Sequence, residues 1–141
     1  MRFVIDNSVS MRWFFGDGKP RELTFAEEVL EVLRDGSALV PVTWGLEVSN
    51  VIARAEAKGL VTEARNETFL GMLEEMDIEV DEETFARSMS DTLHLARRYR
   101  LSAYDASYLE LALREGVPLA TLDEDLSKAA KKAGVARFSR R

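Results

Sequence analysis

The sequence has 141 residues, of which 46% are apolar, which suits a single domain with one hydrophobic core, so we predict one domain over residues 1–141. It contains no cysteine and one histidine, which excludes disulfides and thiolate chemistry and disfavours multi-histidine metal sites. The formal net charge of −6 argues against a non-specific nucleic-acid binder, which would normally be basic.

In the first half of the chain, short apolar runs alternate with segments of helical periodicity. Residues 2–6 predict a buried strand that leads into a short helix carrying Trp13. After a loop, a helix is predicted from Thr24 to Gly36, with Glu27 at a capping-box position. Residues 38–42 predict a second strand, and residues 43–58 the helix that follows it.

The second half continues the alternation. Helices are predicted at 62–76 and 82–99, with a short strand at 78–80 between them. Ser102 begins a helix that ends at Gly116. A strand at 118–121, a helix capped by Asp123 and a last strand at 135–138 complete the pattern. Such alternation predicts an α/β fold with a central, mostly parallel sheet covered on both faces by helices.

Four acidic residues lie where a charge is costly. Asp6 and Asp123 each follow an apolar run, Glu47 lies one turn into a helix, and Asp105 shares an apolar helix face with Tyr108. An ionised carboxylate near an apolar interior needs a positive partner, and the sequence places no Lys, Arg or His beside these four. A bound divalent cation would satisfy all of them, which points to a metal-dependent enzyme acting on phosphate esters.

The predicted topology allows these four acids to converge, because ligands of open parallel α/β sheets bind beyond the carboxyl ends of the strands. Each acid also has a structural alternative. Asp6 could form an Asx-turn, Asp123 could only cap its helix, Glu47 could face solvent, and Asp105 could be the reciprocal partner of a Ser102 cap.

The available donors determine which metal is expected. Oxygen ligands suit Mg²⁺ or Mn²⁺ better than zinc. Ser8 and Thr121 lie two residues from Asp6 and Asp123 respectively, and could orient carboxylates as a second layer of contacts. Asp125 is a candidate fifth acid, with stabilisation of the helix N-terminus as the alternative.

Basic and aromatic residues give weaker signals. Basic residues cluster in two places: at residues 97, 98 and 100, and at Lys128, Lys131, Lys132, Arg137, Arg140 and Arg141. These clusters are either solvated helix faces or a rim that contacts phosphates. The aromatic run at residues 13–15 fits packing or a protein contact better than base stacking. His94 fits a structural or surface position.

Four motifs give the sequence a family resemblance. They are residues 3–9 (FVIDNSV, followed by Trp13 and Phe14), 46–51 (LEVSNV), 101–112 (LSAYDASYLELA) and 119–126 (LATLDEDL). In order and spacing they resemble the PIN-domain ribonucleases, and within these the VapC-type toxins of toxin–antitoxin pairs.

That resemblance implies a three-layer α/β/α sandwich and an Mg²⁺- or Mn²⁺-dependent endoribonuclease. It places catalytic and metal-binding acids at Asp6, Glu47, Asp105 and Asp123. It also implies an RNA substrate, a homodimer and inhibition by a cognate antitoxin.

The sequence leaves two other function classes to consider. A catalytically inactive PIN-like module that binds RNA or protein is the main alternative, although four mutually repelling acids would gain it nothing. An aspartyl-phosphate phosphatase is disfavoured because Ser8 occupies the position where a second Asp is needed. No apolar run approaches the roughly 18 residues of a membrane span and no signal peptide is evident, so we expect a cytoplasmic protein without membrane contact.

Overall fold

The computed structural model describes residues 1–140 and has the predicted α/β/α layering. Four parallel strands, in the order β3-β2-β1-β4, form the central sheet: β1 (Arg2–Ile5), β2 (Ser37–Val40), β3 (Ile78–Val80) and β4 (Leu119–Ala120). In register, Val4 of β1 lies opposite Leu39 on one side and Leu119 on the other. The three-layer fold with its parallel sheet is thus confirmed.

The helices connect these strands in sequence. They are α1 (Asn7–Phe15), α2 (Pro20–Leu33), α3 (Trp44–Ala57), α4 (Glu63–Glu74), α5 (Thr84–Arg87), α6 (Leu93–Tyr99), α7 (Ala103–Glu115) and α8 (Glu124–Ala133). A π-helical turn, Ser88–Thr92, joins α5 to α6, so the helix predicted at 82–99 is interrupted. Among residues 1–140, none of these helices has the length and apolar character needed to cross a bilayer.

Two further element predictions were wrong in detail. Helix α2 starts at Pro20 rather than Thr24, since proline suits the first helical position and the Glu22 carboxylate accepts a hydrogen bond from the Lys19 N–H at 2.9 Å. Residues 135–138 form no full strand. They make a single parallel bridge, between Arg137 and Leu119.

Strand alternation sends neighbouring side chains to opposite faces of the sheet. Phe3 and Ile5 pack with Val29 of α2 on one face, whereas Val4 packs with Leu109 of α7 on the other. All five side chains are fully buried. Helices α2 and α7 therefore lie on opposite faces of the sheet.

An almost buried ion-pair network attaches α7 to the segment after β3. The Arg114 guanidinium donates to Glu110 at 2.9 Å and to Asp81 at 2.7 Å, and the side chains of all three are about one-tenth exposed or less. The hydrogen bonds that Arg114 donates to Glu110 and Asp81 raise the pKa of Arg114 further above its ordinary value. The network fixes α7, which carries Asp105, against the segment that leads into α5.

Candidate functional site

The four predicted acids stand at the carboxyl edge of the sheet or in the first turn of a neighbouring helix. Asp6 directly follows β1, and its N–H donates to the Ala120 carbonyl of β4 at 2.9 Å. Asp123 caps α8, its Oδ1 accepting from the Leu126 N–H at 2.8 Å. Glu47 and Asp105 lie in the first turns of α3 and α7. Four separate segments thus contribute one acid each.

Asp6 is buried and held by two hydroxyl groups. Asp6 is only 4% exposed. Its Oδ2 accepts hydrogen bonds from Ser8 Oγ and Thr121 Oγ1, both at 2.7 Å. Ser8 Oγ in turn accepts from the Leu122 N–H at 2.9 Å, and Thr121 Oγ1 from the Asp123 N–H at 3.0 Å. These contacts connect the turn after β1 to the turn after β4 and orient the Asp6 carboxylate.

Glu47 is oriented by Tyr108, which the sequence predicts only as a member of an apolar helix face. Tyr108 of α7 is fully buried, and its hydroxyl donates to Glu47 Oε1 at 2.6 Å. One signal was present in the sequence, since a tyrosine on a buried helix face needs a hydrogen-bond partner for its hydroxyl. The partner itself, 61 positions away, could only be found in the structure.

The charges of these acids act on one another. Burial raises the pKa of Asp6 despite the hydrogen bonds from Thr121 and Ser8, and the charge of Asp123 raises it further. Burial also raises the pKa of Glu47, with smaller contributions from the charges of Asp6 and Asp105. The pKa of Asp105 is raised to about 6, by burial first and then by the charges of Asp6 and Asp123. The four carboxylates therefore share one local electrostatic field.

Basic side chains do not neutralise this field. Within residues 1–140, none of the four acids forms a salt bridge, although arginines pair with other acids on the surface. Four oxygen-donor carboxylates without a basic partner suit a hard divalent cation. The chemistry of the donors therefore agrees with a divalent metal, and the identity of that metal stays a prediction.

The side-chain positions are not those of a closed metal cage. Over the described part of the chain, no three acidic or histidine side chains lie close enough to hold a single ion. A buried oxygen that lacks a hydrogen-bond partner, Asn7 Oδ1, lies on the residue next to Asp6. The acids are therefore coupled electrostatically without sharing a coordination sphere in these rotamers.

The remaining candidates lie at the margin of the site or away from it. Asp125 is exposed in the first turn of α8, and its charge makes only a minor contribution to the pKa of Asp105. His94 is exposed on α6. Trp13 packs against the core and donates from Nε1 to the Ala26 carbonyl at 2.8 Å, which agrees with a packing role. Arg141 lies outside the described residues.

Comparison with known proteins agrees with this architecture. Residues 3–132 match the model of the PIN domain family. Among solved structures, the chain is similar to PAE2754 from Pyrobaculum aerophilum, with 20% identity, a TM-score of 0.70 and coverage of 97% of this chain and 92% of that one. No match is found among the curated proteins.

Two further solved structures are similar to this chain. VapBC2 from Rickettsia felis, crystallised with a DNA fragment from its promoter, has 9% identity and a TM-score of 0.66 over 98% of both chains. FitAcB from Neisseria gonorrhoeae has 18% identity and a TM-score of 0.62 over 99% of this chain and 98% of that one. The likeness to these structures concerns the fold alone. Because the family model covers most of the sequence, the chain belongs to the PIN domain family.

Proposed function

We propose that this protein is a metal-dependent endoribonuclease that cleaves RNA phosphodiester bonds. The observation that carries the proposal is the electrostatic coupling of Asp6, Glu47, Asp105 and Asp123, none of which has a basic partner within residues 1–140. Membership of the PIN domain family supports it, since PIN domains are generally nucleases and typically use divalent metals.

In this proposal the four acids hold Mg²⁺ or Mn²⁺, with Asp125 as a candidate fifth acid. A bound divalent cation would make a water easier to deprotonate, so that hydroxide can attack phosphorus, and would supply a counter-charge for the leaving oxygen. Ser8 and Thr121 orient Asp6 through its Oδ2, and Tyr108 holds Glu47 through its Oε1. Within residues 1–140, the other oxygen of each of these two carboxylates makes no hydrogen bond with another side chain.

The biological setting we propose is the cytoplasm, where the protein acts as the VapC-type toxin of a toxin–antitoxin pair. The likeness in fold to VapBC2 and FitAcB supports this setting. Large apolar side chains are exposed at Leu46, Phe85 and Met89, each at least 74% accessible, and in this proposal they contribute to contacts with protein partners. We assign these contacts to an antitoxin and to a second copy of the chain.

The test is cleavage of single-stranded RNA by the parent and by Asp6→Asn, with Mn²⁺ present and with a chelator. We expect cleavage only with metal, and a loss of at least about a hundredfold in Asp6→Asn, beyond the effect typical of residues that merely support metal ligands. Asp35→Asn is the matched control, because Asp35 is exposed in the loop before β2.

Equal rates for Asp6→Asn and the parent would overturn the proposed mechanism. Binding of RNA without cleavage under any metal condition would favour the alternative, a catalytically inactive PIN-like module. Melting curves of both variants establish that the comparison is made between folded proteins.

A further inference from the structure

A groove borders the candidate metal site on the side of β4 and α8. Two adjoining cavities, each of about 470 Å³, share Thr121, Ser127, Lys128 and Arg137 in their walls. One of them extends to Asp123 and the other runs along α8 to Val135. The two cavities adjoin at these four residues, and together they line one stretch of surface from Asp123 to Val135, here called the groove.

Four basic and three acidic side chains line the two cavities. Arg21, Lys128 and Arg137 line the cavity beside Asp123, and within residues 1–140 none of them forms a salt bridge. Lys131 lines the other cavity. Of the acids, Asp123 belongs to the candidate metal site, so the four cations face two remaining acids, Glu22 and Glu124. Cations without protein partners are suited to contact phosphates.

Arg137 is held in a defined orientation. Its guanidinium carbon lies 4.8 Å from the centroid of the Phe25 ring, and Phe25 is only 8% exposed. The ring therefore supports one face of the guanidinium, while Arg137 itself is exposed and lines the groove. A guanidinium plane of this kind is a stacking surface for an unpaired base.

The groove and the acids are connected through Thr121. This residue lines both cavities, and its Oγ1 donates to Asp6 Oδ2. A nucleic-acid strand whose reacting phosphodiester lies at the acids would therefore place its next nucleotide in the groove. An acidic peptide could use the same cations, but it would lack a planar group to stack on Arg137.

We propose that this groove binds the nucleotide adjacent to the cleaved phosphodiester of a single-stranded RNA. Arg21 and Lys128 contact phosphates and Arg137 stacks on the base. The assignment rests on the proposed nuclease function, since that function fixes where the reacting phosphodiester lies.

The test measures the affinity for a short fluorescent single-stranded RNA by anisotropy, as a function of salt concentration. A chelator is present throughout, so that cleavage does not interfere. Lys128→Ala and Arg137→Ala should each weaken binding about tenfold. Lys128→Ala removes a phosphate contact and should also lower the salt slope by about 0.7, the value for one such contact on a single strand, whereas Arg137→Ala removes the stacking surface and should change the slope little. Lys132→Ala is the matched control, because Lys132 is exposed on α8 but does not line the groove.

A conservative variant separates stacking from charge. Arg137→Lys should keep the salt slope of the parent and still bind several-fold more weakly, because lysine offers no planar surface. It also provides a test if Arg137→Ala proves unstable, since a positive charge is retained beside the Phe25 ring.

Several results would overturn the inference. One is that both groove variants bind like the parent, and another is that Lys132→Ala weakens binding as much as they do. A third is that they keep RNA affinity while losing affinity for a polyglutamate peptide, which would make the groove a site for an acidic protein segment. Weakened binding by the groove variants, together with no RNA cleavage by the parent, would support the groove and refute the proposed nuclease function.

Discussion

Tyr108→Phe removes one hydroxyl group from the buried face of α7 and leaves the aromatic ring in place. In the structure this hydroxyl donates to Glu47 Oε1 at 2.6 Å, and Tyr108 has no exposed surface. The substitution therefore changes the environment of Glu47 with little change in core packing. We expect it to weaken the binding of Mn²⁺ and to slow RNA cleavage.

The size of the effect follows from the kind of hydrogen bond lost. A hydrogen bond to a charged group contributes about 1.5–3 kcal/mol. Glu47 is half-buried, so water can replace part of the lost interaction, and we take the lower end, about 1.5 kcal/mol. That free energy corresponds to about a tenfold change in a binding constant. Burial already raises the pKa of Glu47 and the Tyr108 hydroxyl opposes that rise, so its loss increases competition from protons.

The assay is a Mn²⁺ titration of the melting temperature, followed by cleavage rates at saturating and limiting Mn²⁺. Tyr104→Phe is the matched control, because Tyr104 is 62% exposed and makes no side-chain hydrogen bond through its hydroxyl in the described region. We expect about tenfold weaker apparent metal affinity for Tyr108→Phe and no change for Tyr104→Phe. Parent-like metal affinity and cleavage in Tyr108→Phe would show that Glu47 needs no orienting contact, and would refute the reasoning.

Three further predictions concern pH, the Asp6 contacts and the ion-pair network. The pKa of Asp105 is about 6 in the folded state and 3.8 ordinarily, so between these pH values the folded protein holds a proton on Asp105 that the unfolded chain has lost. The metal-free protein should therefore lose stability as the pH rises through that range. The gain in melting temperature with Mn²⁺ should grow around pH 6, because the metal binds the deprotonated carboxylate. Thr121→Val should cost about 1–3 kcal/mol in urea unfolding, because buried Asp6 loses a donor, and a cost below about 0.5 kcal/mol would contradict this. Arg114→Ala should cost about 3–5 kcal/mol by leaving two nearly buried acids unpaired, whereas Arg87→Ala on the surface should change the unfolding midpoint little.

Local signals in the sequence were sufficient for most of the secondary structure. Ser102 and Asp123 each cap a helix by accepting a hydrogen bond from the N–H three residues ahead, a contact that depends only on nearby residues. The start of α2 was missed although Pro20 was a local signal for it. The segment 135–138 was overestimated, because its apolar pattern reflects Phe138 packing in the core rather than a paired strand.

The sequence by itself determined which acids stand at strand ends and early helix turns, because parallel strands direct their carboxyl ends to one edge. Their roles in catalysis stay a prediction. Only the tertiary structure decided which groups hold them, since Thr121 meets Asp6 across 115 positions and Tyr108 meets Glu47 across 61. Such partners depend on the order of the strands and on the rotation of α7, and these are set by packing over the whole chain rather than by any local pattern.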